Sequence, residues 1–581
     1  MFFASPKKYP ARIVLTVLAA LWLSLAPSGC RRAATPASTA ELVTTFNALR
    51  DDPQRHLEIV WLGSPYAEGG QPGSWLQRRL EEQFNISLEV SFMPVFSYDK
   101  LLKLRLTGGQ IPDVFWLRNA GEVRRAAAHG FITEVPYETL AHHAPAYLRL
   151  LERHAPDAWL LSLVDGRNFG IPTFTTTMAR LPQTGVWNRT WLERVGVKKI
   201  PETLVEMEEA LRRFRTGDPD RDGKQDTFGM CPWRPGSSSG SGTLDRSFEE
   251  IFGAFGVMQN GWMLHEGRVV WGATLPGARL ALETLRRWYA DGLIHPDYMT
   301  LPIGNLEVRS QLFKGKVGYI MGFNLGNYGV FEKKYPTSLQ SLHQAIHPGE
   351  ELAPGWFPIG PDGHRGVRTW DGSIGGVIVF GPQLVRAPEK LVRVLAMFDA
   401  LARDPELFIE LRVGRRGLHW DWNEDYGIRK RAPYDTRAVA SAELMGEGIT
   451  NQIDNNYGYF APFSAPQEVV DRHTIPAARQ FQETYMRPEW GLSDVLLMAD
   501  TVPSAYKYLH RLVDLQATTF TEIIIGKRPI EAFDDFVVRW RAEGGDMLTR
   551  EANELYLQKQ AIRARVAAFL VAEKSPAPPA P

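Results

Sequence analysis

The chain has 581 residues, 44% of them apolar and 23% charged, with 66 basic and 66 acidic side chains and a formal net charge of zero. That length exceeds what one compact core holds, so two large lobes are expected, and the even charge leaves no electrostatic case for nucleic acid as a partner. The 17 tryptophans are a heavy load of wide rigid rings, suited to gripping ring-shaped ligands as well as to filling a core.

Lys7, Lys8 and Arg12 precede an apolar stretch from Ile13 to Leu25, followed by APSGC ending at Cys30. A positive flank, a short apolar run and small residues make an export signal over 1–29, too short for a membrane span. Cys30 after Ser28-Gly29 resembles a bacterial lipobox, in which the cysteine becomes the lipidated first residue of the mature chain. Pro27 stands where an aliphatic residue is usual; plain secretion with cleavage nearby is the alternative. Cys231 is the one other cysteine, so an internal disulfide is not expected. Residues 30–53 open with small and polar side chains and read as a tether.

The body alternates strand and helix signals. In a first-lobe segment, 54–172, HLEIVWLG (56–63) reads as a buried strand and SWLQRRLEEQF (74–84) as an amphipathic helix. ISLEVSFMPV (86–95) returns to strand, YDKLLKLRLTGG (98–109) to helix, and IPDVFWL starts another strand. A second-lobe segment, 173–369, holds the helix PETLVEMEEALRRF (201–214), with a capping box from Thr203 to Glu206, and a strand at GYIMGF (318–323). The strand GGVIVF (375–380) falls in 370–435, assigned back to the first lobe. From about 466 the pattern is mostly helical, a closing segment that completes 436–572, and 573–581 is a Pro-rich tail. The alternation predicts an α/β fold with sheets covered by helices.

Residues 217–229 read GDPDRDGKQDTFG. Two carboxylates about 4 Å apart repel by roughly 4 kcal/mol at an effective dielectric near 20, so four aspartates here are either splayed into water or held by a cation. The D-x-D-x-D-G spacing supplies hard oxygen ligands and a glycine for a sharp turn, which suits Ca²⁺. Gly229 stands where an EF-hand has its bidentate Glu, and Asp226 is the candidate to close the loop.

Other motifs carry less. GSSSG (236–240) fits the pattern of a hydrolase elbow, but the preceding CPWRP is a poor central strand and a loop is expected. The 13 histidines show no zinc spacing, and no Gly-rich phosphate loop is present.

Six segments in order resemble bacterial extracellular solute-binding proteins of family one. They are YDKLLKLRLTGGQIPDVFWL (98–117), LVDGRNFGIP (163–172), VWNRTWLERVGVKKIPETLVEMEEALRRFRTGDPDRDGKQDTFGM (186–230), YADGLIHPDY (289–298), FKGKVGYIMG (313–322) and IIIGKRPIEAFDDFVVRWRAEGGDMLTREANELY (523–556). The match is to the long lipoprotein branch that includes alginate- and other oligosaccharide-binding proteins of ABC importers. The resemblance implies a two-lobe, periplasmic-binding-protein-like clamshell with a hinge cleft. It further implies an extracytoplasmic monomer without enzymatic activity that hands a carbohydrate to a membrane permease. It also implies one structural Ca²⁺, held by the side chains of Asp218, Asp220, Asp222 and Asp226 and the main-chain oxygen of Lys224; Thr227 stands where the family often has Glu.

Sugar faces pack on aromatic rings, and their hydroxyls need polar partners when buried. By position, the candidates for the cleft are Trp61 and Trp116 after first-lobe strands, Arg118 and Asn119 beside them, Phe323 and Asn324, Trp370 and Asp371, and Trp420 and Trp422 in HWDW. Packing in the core is the alternative for each Trp. A surface glycan-processing enzyme and a sensory lipoprotein on the same fold are the rival functions.

Overall fold

The computed structural model describes residues 37–63, 73–91, 93, 97–174, 176, 184–232, 247–301, 305–321, 331, 333, 338–369, 376–423, 427–435, 461–463, 465–466, 468–469, 472 and 476–572. The export signal, Cys30, the 236–240 motif, Phe323, Asn324, Trp370, Asp371 and the Pro-rich tail lie outside the described residues.

The first helix, α1 (Thr39–Asn47), falls inside the stretch expected to be a tether. Ser38 and Glu41 form a reciprocal capping box at its start, and Leu42 and Phe46, four apart on one face, are buried in the first lobe. The expectation of an unpacked 30–53 is corrected to that extent.

Strand β1 (Leu57–Leu62), helix α2 (Trp75–Phe84), β2 (Ile86–Ser91), α3 (Tyr98–Thr107), β3 (Val114–Leu117) and α4 (Ala120–Ala128) follow the predicted alternation. Helices α5 (Tyr137–His143) and α6 (Pro145–His154) then lead to β4 (Ile171–Pro172). β1 pairs in parallel with β2, Leu57 opposite Ile86, and with β3, Trp61 opposite Val114. All four residues of β3 are buried, as expected for a strand covered on both faces.

The chain then crosses into a second sheet. β5 (Gly185–Asn188) runs into α7 (Arg189–Arg194), where the Asn188 side chain caps the helix. Helix α8 (Leu204–Thr216) starts at the predicted Thr203–Glu206 capping box and buries Leu204, Met207, Leu211 and Phe214. β6 (Phe228–Cys231), α9 (Glu249–Ala254), the hairpin β7 (Trp262–His265) and β8 (Arg268–Trp271), and α10 (Pro276–Ala290) follow. β9 (Val317–Ile320), α11 (Leu339–Ile346) and β10 (Leu352–Gly355) complete the lobe, with sheet order β10-β5-β9-β6.

After the short β11 (Val367–Arg368), β12 (Val377–Phe380) returns to the first sheet and inserts antiparallel between β3 and β4, giving the order β2-β1-β3-β12-β4. Helices α12 (Pro388–Arg403) and α13 (Pro405–Val413) and the hairpin β13 (Trp420–Asn423) and β14 (Gly427–Lys430) follow.

The closing segment is helical as expected: α14 (Ala505–Ile524), α15 (Ala532–Trp540) and the 27-residue α16 (Asp546–Ala572). Its core joins the second lobe. Trp540 stacks on Trp271, whose indole N–H donates to Gln516 Oε1 at 2.8 Å. Yet α16 also reaches the first lobe, where Lys559 Nζ lies 3.2 Å from Asp157 and Arg565 pairs with Glu138. The molecule is therefore two α/β lobes with mixed sheets and a C-terminal helical region packed behind them. Among the described residues no helix is long and apolar enough to cross a membrane.

Candidate functional site

In each sheet several strands end or begin together at one edge. In the first sheet Leu117 pairs with Val377 and Val377 with Pro172, so β3 and β4 end where β12 begins. In the second, Gly185 at the start of β5 pairs with Gly355 at the end of β10, and β6 and β9 end beside them at Cys231 and Ile320. The chain crosses from Pro172 to Gly185 and back from Gly355 to Val377, at these two edges. In open α/β sheets the crevice outside such strand ends is where ligands bind.

Arg118 and Asn119 stand on the first edge. Asn119 caps α4, its side-chain oxygen accepting from the Glu122 N–H at 3.0 Å, while Glu122 accepts from the Arg118 N–H at 2.7 Å. The Arg118 guanidinium lies 5.7 Å over the Trp116 ring and 3.4 Å from Asp99. Trp116 and Trp61 are inside β3 and β1, not after them, and both rings are buried, against Tyr98 and Phe398 respectively. Both sit within the apolar runs HLEIVWLG and IPDVFWL, and burial on the sheet makes them core rings and not cleft rings.

Trp420 is also buried and donates its indole N–H to Gly414 O at 2.7 Å. Trp422 differs. It is part-exposed in the β13–β14 hairpin, edge-on to Trp420, with the Arg472 guanidinium 3.9 Å over its ring. Arg415, just before the hairpin, lies 5.8 Å over Trp75 at the start of α2. That contact seats the hairpin near the first edge, since α2 begins after the β1 strand end. Trp191, in the first turn of α7, is buried.

The second edge holds groups that the sequence reading passed over. Tyr319 in β9 aims its hydroxyl at the backbone of Gly185; a Cβ there would sit 2.2 Å from it. Beside that hydroxyl the Glu250 carboxyl is fully buried, and burial pushes it up to about 8. The signal was available in DRSFEEIFGAF, two consecutive acids inside an apolar run.

The acidic loop lies at the opposite end of the second sheet. It precedes β6, whose four residues span about 10 Å, so it stands off from the cleft edge. Asp218 and Arg221 take left-handed backbone, φ 46° and 62°, as does Gly223 at 80°, which folds the loop back on itself. Asp218, Asp220 and Asp222 bring one carboxylate oxygen each to within 4.8 Å of one another. Asp218 Oδ2 accepts from the Gly223 N–H at 3.2 Å and Asp222 Oδ1 from the Lys224 N–H at 2.8 Å. Burial, then Asp218 and Asp222, pushes the Asp220 carboxyl upward. Asp218 Oδ1, Asp220 Oδ1 and Asp226 Oδ1 are each buried without a partner. Three converging carboxylates, two of them with an unpartnered buried oxygen, fit a cation, so this cluster could coordinate a metal ion. Asp226 stands outside the group of three and gives Oδ2 to Lys316 at 2.5 Å.

The fold and its relatives agree. Over 94% of its length this chain is 22% identical to the polygalacturonan/rhamnogalacturonan-binding protein YtcQ of Bacillus subtilis, matching 98% of that protein. A solved extracellular solute-binding protein from Bifidobacterium longum subsp. infantis superposes at a TM-score of 0.64, with 14% identity, over 88% of this chain and all of that one. The chain shares the fold of bacterial extracellular solute-binding proteins. The alginate-binding protein AlgQ2, solved without calcium ion, has the same fold, with a TM-score of 0.58 and 14% identity over 87% of this chain and 98% of that one. No family model matches the chain.

Proposed function

We propose that this protein is the lipid-anchored, extracytoplasmic solute-binding component of an ABC importer, closing its two lobes on an oligosaccharide and delivering it unchanged to a membrane permease. It works by binding and not by catalysis. The observation that carries the reading is the end-to-end similarity to a polygalacturonan/rhamnogalacturonan-binding relative, on a chain that folds into two α/β lobes joined by crossovers at their strand ends.

In this reading 54–172 with 370–435 and 173–369 with 436–572 are the two lobes, and Cys30 carries the anchor. Arg118, Asn119 and Trp422 meet the sugar from the first lobe, Phe323 and Asn324 from the second, and Trp370 and Asp371 from the return crossover. Trp61, Trp116 and Trp420 stiffen the first wall from behind, where they are buried. A Ca²⁺ in the acidic loop would be held by Asp218, Asp220 and Asp222, with Asp226 and the Lys224 carbonyl as further ligands, and would supply positive charge that fastens α8 to β6. The protein acts as a monomer.

The test is titration of intrinsic tryptophan fluorescence with oligogalacturonides, fructooligosaccharides and alginate oligomers, with the sugars rechromatographed afterwards. Saturable change with sugars of unaltered length supports the reading. No response to any glycan, or shortened chains, overturns it.

A further inference from the structure

One cation is already built into the acidic loop. The Lys316 ammonium lies 2.5 Å from Asp226 Oδ2, across 90 residues of sequence. Its backbone is fixed on both sides: Lys316 O accepts from the Phe228 N–H at 2.8 Å, and its own N–H donates to Gln311 O at 2.9 Å. Lys316 thus enters β9 beside the start of β6, and its side chain has a set place against the loop that precedes β6. The other oxygen of the same carboxylate, Asp226 Oδ1, is buried and unpartnered. Asp226 is therefore divided between a resident ammonium and whatever satisfies Oδ1.

We propose that Lys316 is an internal competitor of the metal, holding Asp226 and setting a weak affinity for divalent cation. The inference rests on the reading of the loop as a Ca²⁺ site. Without metal, the ammonium neutralises one carboxylate of a crowded acidic loop and steadies it. With metal, the same positive charge repels the incoming cation and pulls on one of its ligands. Lys316 thus narrows the difference between the metal-free and metal-filled loop. The Lys224 ammonium, 3.1 Å from Asp222, stands on a side chain 70% exposed and is screened by water.

The experiment compares the full chain with Lys316→Gln, Asp226→Asn and the double variant, measuring calcium affinity by calorimetry and by terbium luminescence. Melting is followed in chelator and in calcium. Lys316→Gln is expected to tighten calcium by on the order of tenfold, as removing a charge a few ångströms from a divalent ion implies. It is also expected to lower the melting temperature in chelator while raising the calcium-induced gain. In the Asp226→Asn background the effect of Lys316→Gln shrinks, because the lysine acts through that carboxylate. Calcium binding that Lys316→Gln leaves unchanged or weakens overturns the role of Lys316 alone. A wild-type chain that binds no calcium overturns the calcium reading itself and this inference with it.

Discussion

Glu350 joins three pieces of the second lobe, and replacing it with Gln separates the charge from the shape of that junction. Its Oε2 accepts from Asn188 Nδ2 at 2.8 Å and His343 Nε2 at 3.1 Å, and Oε1 from Arg194 Nη1 at 2.7 Å. Arg194 also donates to Pro219 O at 2.8 Å, inside the acidic loop. Burial alone would raise the Glu350 carboxyl, but the hydrogen bonds from His343 and Asn188 and the Arg194 charge outweigh it and hold the group at about 2, below its ordinary 4.5. At 1.36 kcal/mol per pH unit that difference is worth about 3 kcal/mol at neutral pH. Arg194 keeps 23% of its side chain in water, so we expect Glu350→Gln to lose about 2 kcal/mol by urea denaturation at pH 7. Because the folded-state value is depressed, the contribution is complete above about 4.5 and is lost as the pH falls toward about 2. The gap between wild type and variant should therefore narrow at pH 3. A loss under about 0.5 kcal/mol at pH 7, or a gap of the same size at pH 3, would refute the reasoning.

Asp220→Ala is expected to abolish the calcium-dependent part of thermal stability, read as melting curves in calcium and in chelator; a wild-type curve indifferent to chelator would remove the metal claim. Burial pushes the folded Glu250 carboxyl up to about 8, above the unfolded value, so its contribution is full below about 4.5 and is lost as pH rises through 8. Glu250→Gln should flatten that decline and gain roughly 2–4 kcal/mol at pH 7–8, checked by denaturation across the range. Gly318→Ala would place a Cβ 2.3 Å from the Phe214 ring and should cost about 1–3 kcal/mol by overpacking, measured by chemical denaturation.

Local signals were legible where local physics decides. The Thr203–Glu206 capping box starts α8, and HLEIVWLG forms β1, because a cap and a run of apolar residues need no distant partner to be recognised. The short α1 had the same kind of signal in Ser38–Glu41 and was missed because its small, polar surroundings suggested a linker. The acidic loop was legible as a cluster, since Asp218, Asp220 and Asp222 are neighbours in sequence. Lys316 was not, because its approach to Asp226 depends on two strands pairing 90 residues apart. The insertion of Val377–Phe380 between β3 and β4 is likewise a long-range pairing that no periodicity encodes. It also explains Trp116, opposite Ile378 in the sheet interior, where a loop position was expected.

The last helix ties one half of the protein to the other like a rod fastened at both ends. Asn553 grips Val269 through both backbone groups, while two turns further on Lys559, almost wholly enclosed, reaches Asp157 and the carbonyl of Val495. If the proposed closing motion operates, swinging the lobes apart strains or releases the Asp157 fastening. Under that reading, sequence drift in this helix would retune how readily the lobes part without touching the candidate cleft residues.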